Sequence, residues 1–315
     1  MNRDVQASRL RVSRRRALAL GGTVGLGGLI AACGGNGPTG AAVTESTAAS
    51  ATTGADGATV AELLAQAPNC VMSVEETQGP YWFDVDSIRT DIREDRPGTK
   101  LQLALRVQDV TGCPADGSGA SVVSGAVVEI WHCDAGGVYS GFESGSNGGG
   151  GGRPPEGAPD GGIGGPPPGD GNGPPEGGGA PGGMGSSGET SNGSYSVGDS
   201  ESATTDDGTY LRGAQPTDAD GIAQFTTIFP GWYRGRTTHI HVKVHVDKKT
   251  VLTTQLFFDE ALIDEINATS PYNEHTGRES NTDNSNDNIY DDTGLMTVGK
   301  QGDGYLAVIN LGVDV

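Results

Sequence analysis

Phe229-Pro-Gly-Trp-Tyr-Arg-Gly-Arg-Thr-Thr-His-Ile-His-Val-Lys-Val-His-Val246 is a Gly/Pro turn that runs straight into a β-branched stretch carrying three histidines. Side chains alternate along a strand, so Ile240, Val242, Val244 and Val246 share one face while His239, His241 and His245 share the other. Imidazoles two residues apart on one face can converge on a single metal ion. An isolated His-x-His is more often the wet side of an amphipathic strand, so the weight falls on what surrounds it.

Working outward, Val251–Phe258 is a second strand able to form a hairpin with His239–Val246. With a five-residue loop Gln255 lies opposite His241 on the histidine face, and a slip of one residue puts it on the other. Tyr233 precedes His239 by six residues, held by Pro230-Gly231, and Tyr139 follows the turn Ala135-Gly136-Gly137. A tyrosine in a sandwich usually caps a core with its hydroxyl bonded. Two phenolates and two imidazoles together form a hard, anionic ligand set that suits a ferric ion. His132 and His245 lack a second signal and read as structural or exposed.

The remaining periodic segments are short. Leu101, Leu103, Leu105 and Val107 alternate with polar residues, Val122–Trp131 is a strand interrupted by Gly125-Ala126, and Thr209–Gly213, Ile222–Ile228 and Gly304–Asn310 are further strands. Ala261–Ile266 reads as a helical turn, Tyr272–Asp292 as polar loop, and Thr77–Phe83 as an extended aromatic turn that is either core plug or pocket wall. Many short strands with turn signals between them predict an all-β antiparallel sandwich.

Composition bounds the folding unit. Of 315 residues, 54 are glycine and 17 proline, concentrated outside the periodic segments, so one domain spanning 68–315 is expected. Within it, 143–194 is Gly/Pro/Ser/Asn-rich with almost no apolar residues and reads as a disordered insertion. A net charge of −20 argues against a nucleic-acid partner. Arg14-Arg15-Arg16 followed by a short apolar run ending Ile30-Ala31-Ala32-Cys33 reads as a twin-arginine signal peptide over 1–33 with a lipobox, which makes the protein a cell-surface or periplasmic lipoprotein anchored on Cys33, or a secreted protein where the lipobox is not used. Residues 34–67 read as a flexible tether. Cys70, Cys113 and Cys133 remain, of which two can pair outside the membrane, the pairing being open.

Four motifs, in this order, resemble the intradiol ring-cleavage catechol dioxygenases, above all their secreted bacterial members. They are Val-Glu-Ile-Trp-His-Cys-Asp-Ala-Gly-Gly-Val-Tyr139; Leu211-Arg-Gly followed by Asp220-Gly-Ile-Ala-Gln-Phe-Thr-Thr-Ile-Phe-Pro-Gly-Trp-Tyr233; Arg236-Thr-Thr-His-Ile-His241; and Thr254-Gln-Leu-Phe-Phe258. The resemblance implies Fe(III), non-haem, held by Tyr139, Tyr233, His239 and His241. It places the family's active-site arginine on Arg236 and the glutamine that lies behind its ligands on Gln255, makes Tyr233 the phenolate that a substrate displaces, and puts the aromatic segment with Tyr81 at the wall of the site. It further implies a catechol-type substrate, O2 as co-substrate and a cis,cis-muconate product. Two other readings of the residues stand beside it: a metal-free cell-surface binding module on the same sandwich, and a zinc or copper site on the His-x-His strand.

Overall fold

A computed structural model describes residues 57–114, 119–144 and 186–315. The expected signal peptide with Cys33, the first part of the expected tether and 145–185 of the expected insertion lie outside the described residues, which all belong to one compact unit, Ala49–Val315.

The chain begins with a short helix α1 (Val60–Leu64), then β1 (Lys100–Asp109), β2 (Ser121–Val122), β3 (Val127–Trp131), β4 (Ser186–Asn192), β5 (Val197–Ser202), β6 (Arg212–Pro216), β7 (Ile222–Ile228), β8 (His239–Val246), β9 (Lys249–Phe257), α2 (Glu260–Asn267), β10 (Thr297–Gln301) and β11 (Gly304–Val313). One sheet runs β10-β11-β1-β2 with β7 also on β1, a second runs β6-β3-β8-β9, and β4-β5 is a separate hairpin. The core lies between the two large sheets, where Leu101, Leu103, Leu105 and Val107 meet Val128, Ile130, Ile240, Val242 and Val244. The all-β sandwich is therefore as expected, with one departure. β1 and β11 pair in parallel, because β11 arrives as the second arm of a hairpin with β10 and its direction is set there.

Three further expectations change. Val122–Trp131 is two strands, not one: Ser121–Val122 pairs with β1 and Val127–Trp131 joins the other sheet, so Gly125 (φ +80°) turns the chain from one layer to the other. The tether does not extend to residue 67. Thr59 and Glu62 close a capping box on α1, and Leu63, Leu64 and Ala67 are buried against Ala104, Leu306 and Val308 on the outer face of the first sheet. The insertion likewise ends before 194, since β4 is paired with β5. The open question of the disulfide is answered by Cys70–Cys113, with Cys133 free and buried.

Candidate metal centre

β8 owes its register to its turn. Asp247 and Lys248 are both left-handed, with φ of 50° and 66°, and make a tight two-residue hairpin loop. That loop alone would set His241 opposite Thr254, but an irregularity between Val244 and His245 absorbs one residue, and His241 pairs with Gln255. The expected partnership holds although the loop is shorter than five residues.

The polar face of β8 is not in water. His239, His241, Lys243 and His245 are each no more than 2% exposed. Their roof is aromatic: Tyr81, Trp82, Trp131, Cys133, Tyr139 and Phe142 form one buried cluster, with Phe83 and Tyr233 packed on it. The Trp131 ring lies parallel to that of His241, 5° apart in angle and 4.8 Å between centroids. Tyr81 stacks on Tyr139 at 4.5 Å. Gly79, at φ +67°, lets the backbone pass so close that a Cβ there would sit 3.3 Å from Cε1 of His241. The Thr77–Phe83 segment is thus a wall of the site. Tyr139 and Tyr233 come together because their loops touch, and a Cβ at Gly231 would meet the carbonyl oxygens of Asp134 and Ala135 at 2.5 Å.

Four donor atoms converge under this roof. His239 Nε2 lies 3.2 Å from Tyr233 Oη, 3.2 Å from His241 Nε2 and 3.5 Å from Tyr139 Oη. His239 Nδ1 donates to the Thr237 carbonyl at 2.7 Å, which leaves Nε2 as a lone pair aimed at the cluster. His241 Nδ1 has no hydrogen-bond partner, and that ring is held by its stack on Trp131. Burial keeps both imidazoles neutral by lowering their pKa values, with Arg236 also lowering that of His239 and His239 that of His241. Burial raises both phenols, Tyr139 well above its ordinary value, and Arg236 opposes the rise at Tyr233.

These separations are those of ligand atoms around one ion. Metal–imidazole bonds of about 2.0–2.1 Å in tetrahedral array put neighbouring donors roughly 3.3 Å apart. The His239 Nε2 lone pair faces the His241 ring nitrogen and both phenol oxygens, a set of donors that one cation can satisfy, and buried phenolates need such compensation. The four residues therefore fit a small, highly charged cation. Among the described residues no group of three or more His, Cys, Asp or Glu is placed to hold a metal, so the phenols complete any such site.

Arg236 and Gln255 adjoin the donors. Arg236 Nη2 donates to Gln255 Oε1 at 2.6 Å and its Nε to Asp287 Oδ2 at 2.9 Å, while Gln255 Nε2 donates to the Thr77 carbonyl at 3.0 Å. Asp287 also accepts from the Thr237 amide at 2.8 Å, and Asn281 bonds the carbonyls of Tyr233 and Arg236. Neither residue was singled out in the sequence, because the loop that carries them has no periodicity. His132 and His245 are structural and buried, not exposed. His132 Nδ1 donates to the Cys133 carbonyl and its Nε2 meets the Thr227 hydroxyl at 2.7 Å; His245 Nε2 lies 3.2 Å from Glu129 Oε2.

No protein-family model matches the chain, and no curated protein does. Solved structures do. An intradiol ring-cleavage dioxygenase from Tetranychus urticae superposes with TM-score 0.55 at 27% identity, covering 78% of this chain and 95% of that one. A second crystal structure of a dioxygenase gives TM-score 0.54 at 27% identity with the same coverage. The all-β fold is that of the intradiol ring-cleavage dioxygenases.

Proposed function

We propose that the chain is a non-haem Fe(III) dioxygenase that opens catechol-type diols with O2 between the two hydroxyl-bearing carbons, giving cis,cis-muconate-type products. The observation that carries the reading is that two phenol oxygens and a second imidazole nitrogen lie within 3.2–3.5 Å of His239 Nε2, on the fold described above. Tyr139, Tyr233, His239 and His241 would hold the ion. A ferric ion so held would supply a Lewis acid that activates a catechol-type diol toward O2.

The chain's own residues have separable tasks. Tyr139 is sealed at 1% exposure and stays an anionic anchor. Tyr233 is only partly buried, so its phenol oxygen is the one placed to take a proton from an arriving diol. Arg236, oriented by Asp287 and Gln255, sets a fixed positive charge beside the donors where negative charge grows on the ring oxygens. The roof of Tyr81, Trp82 and Trp131 keeps bulk water off.

A metal-free binding module gains nothing from buried donors that face one another. Zinc sites are built from Cys, His and carboxylates, and two phenols favour a harder ion. Metal analysis and the visible spectrum of the iron-loaded chain test the proposal. One iron per chain, a phenolate charge-transfer colour that shifts on anaerobic catechol, and O2 uptake with muconate release are expected. A colourless chain that retains no iron would sink it, and a colourless chain that retains zinc would favour the zinc site.

A further inference from the structure

Trp232 and His275, outside the donor cluster, carry polar atoms that the fold leaves unmet. Their rings stack, 3.9 Å between centroids and 8° apart in angle, and they are 6% and 8% exposed. Yet Trp232 Nε1 and both ring nitrogens of His275 have no hydrogen-bond partner. A buried donor without a partner has lost its water for nothing, so two on touching rings point to a ligand. Both rings line a cavity of about 220 Å³ with Arg234, Thr276, Gly277, Ser280 and Asn281.

The cavity is built, not incidental. Gly277, at φ +106°, carries the chain past Trp232, where a Cβ would lie 3.7 Å from Cη2. Asn281 fixes the loop that bears Arg234: its Nδ2 donates to the carbonyls of Tyr233 and Arg236, and its Oδ1 accepts from the Gly235 amide. Arg234 itself is exposed and has neither hydrogen bond nor ion pair on its side chain among the described residues. No carboxylate lines this cavity. Asp134 and Glu274 belong to a neighbouring one that shares only His275 with it, and there Arg96 faces Asp134 at 3.6 Å.

We infer that this cavity binds a small oxyanion, a carboxylate or phosphate group held by Arg234, Trp232 Nε1 and a ring N–H of His275. An indole N–H only donates, so nothing but an acceptor can satisfy it, and a guanidinium meets two oxygens of such a group at once. A cation or an apolar ligand would leave all three donors unmet. The chain has 40 acidic and 20 basic residues, so a wall with an arginine and no carboxylate runs against its composition. Trp232 and Arg234 flank Tyr233, which puts the occupant beside the loop of a donor tyrosine. The anion has two possible sources: the dicarboxylate released by the proposed ring opening, or free inorganic phosphate. The site itself does not depend on the ring-cleavage reading.

Calorimetric titration of the iron-loaded chain with inorganic phosphate and, separately, with cis,cis-muconate tests the inference. The visible band is followed in parallel, because an anion that ligates the metal would move it. Saturable binding of one anion per chain with the band unmoved is expected. Arg234→Gln should weaken that binding by about tenfold or more, as should Trp232→Phe, which keeps a ring on His275 and removes only the N–H. Binding of phosphate alone points to the free anion and tighter binding of muconate to the product, and either upholds the site. Binding of neither anion, binding that tracks a shift of the band, or an affinity unchanged in either variant overturns it. A chain that binds the anion but retains no iron and opens no catechol overturns the ring-cleavage reading alone.

Discussion

Arg236 and Asp287 are 51 positions apart in sequence and 2.9 Å apart in space, and they divide one task between charge and aim. Arg236→Ala removes the charge. It is expected to leave iron content and colour in place and to lower kcat/KM by about a hundred- to a thousandfold, the usual loss of a preorganised charge at a reacting centre. Asp287→Asn keeps the guanidinium but loosens its orientation, so about a tenfold loss is expected by the same logic; a larger loss than in Arg236→Ala would show that the carboxylate, not the arginine, matters. The four donors were legible because a turn, an alternation and a His-x-His each leave a local signal, whereas Arg236 was implied only by the family resemblance. Asp287 and Asn281 were not legible, because residues in a polar loop acquire meaning only when the chain closes on itself. His132 offers a test that does not involve a metal. Burial lowers its pKa to about 4, below the roughly 6.5 of an unfolded histidine. The unfolded chain therefore binds the extra proton first. Stability conferred by a neutral His132 is complete above pH ~6.5 and is lost as pH falls towards 4, by about 3 kcal/mol at most. Denaturant midpoints followed over that window should fall less steeply in His132→Gln than in the parent; equal slopes would assign the acid sensitivity elsewhere.

At the scale of elements, the β8–β9 hairpin and the Thr77–Phe83 wall build the site together. The hairpin was readable from its alternation, and its register, which brings Gln255 to His241, from a loop length that the irregularity near His245 replaces. The wall depends on a single glycine. Gly79 combines a left-handed backbone with a 3.3 Å approach to His241, so Gly79→Ala adds backbone strain of about 1 kcal/mol and pushes the ring that stacks on Trp131. Iron affinity and the charge-transfer band are expected to suffer more than global stability; a variant with lowered stability and unchanged iron binding would show that the wall does not position His241. The elements that escaped the sequence reading share a physical cause. α1 has only five residues, in an Ala/Thr-rich run, and its one signal was the capping pair Thr59 and Glu62. β4 and β5 are made of Ser, Gly, Thr, Asn, Asp and Glu with a single Val and carry no apolar alternation, because polar bonds hold them to the protein.

For the whole molecule, those polar bonds decide where the insertion ends and the fold begins again. The histidine face of β8 continues into Lys243 and His245, and the β4–β5 hairpin closes over that end. Lys243 Nζ donates to Asp199 Oδ2 at 2.6 Å and lies 3.9 Å from the Trp82 ring centroid, while Glu129 gathers Trp82 Nε1 at 3.2 Å and the Tyr195 hydroxyl at 3.4 Å. Trp82 belongs to the same roof as Tyr81 and Trp131, so the hairpin steadies the cover of the donor cluster from its far end. The composition of residues 145–185 has no apolar period to pack. Deleting them, with a short Gly/Ser link from residue 144 to β4, is expected to leave the unfolding midpoint and iron content near those of the parent. Asp199→Ala is the opposite case: it strands Lys243, whose side chain is 2% exposed, beside a partner position that is 23% exposed. A loss of about 2 kcal/mol follows, between the limits for exposed and fully buried pairs, and chemical denaturation of the two variants side by side measures it. A deletion that unfolds the chain, or an Asp199→Ala protein as stable as the parent, would mean that the insertion and not the hairpin carries the closure.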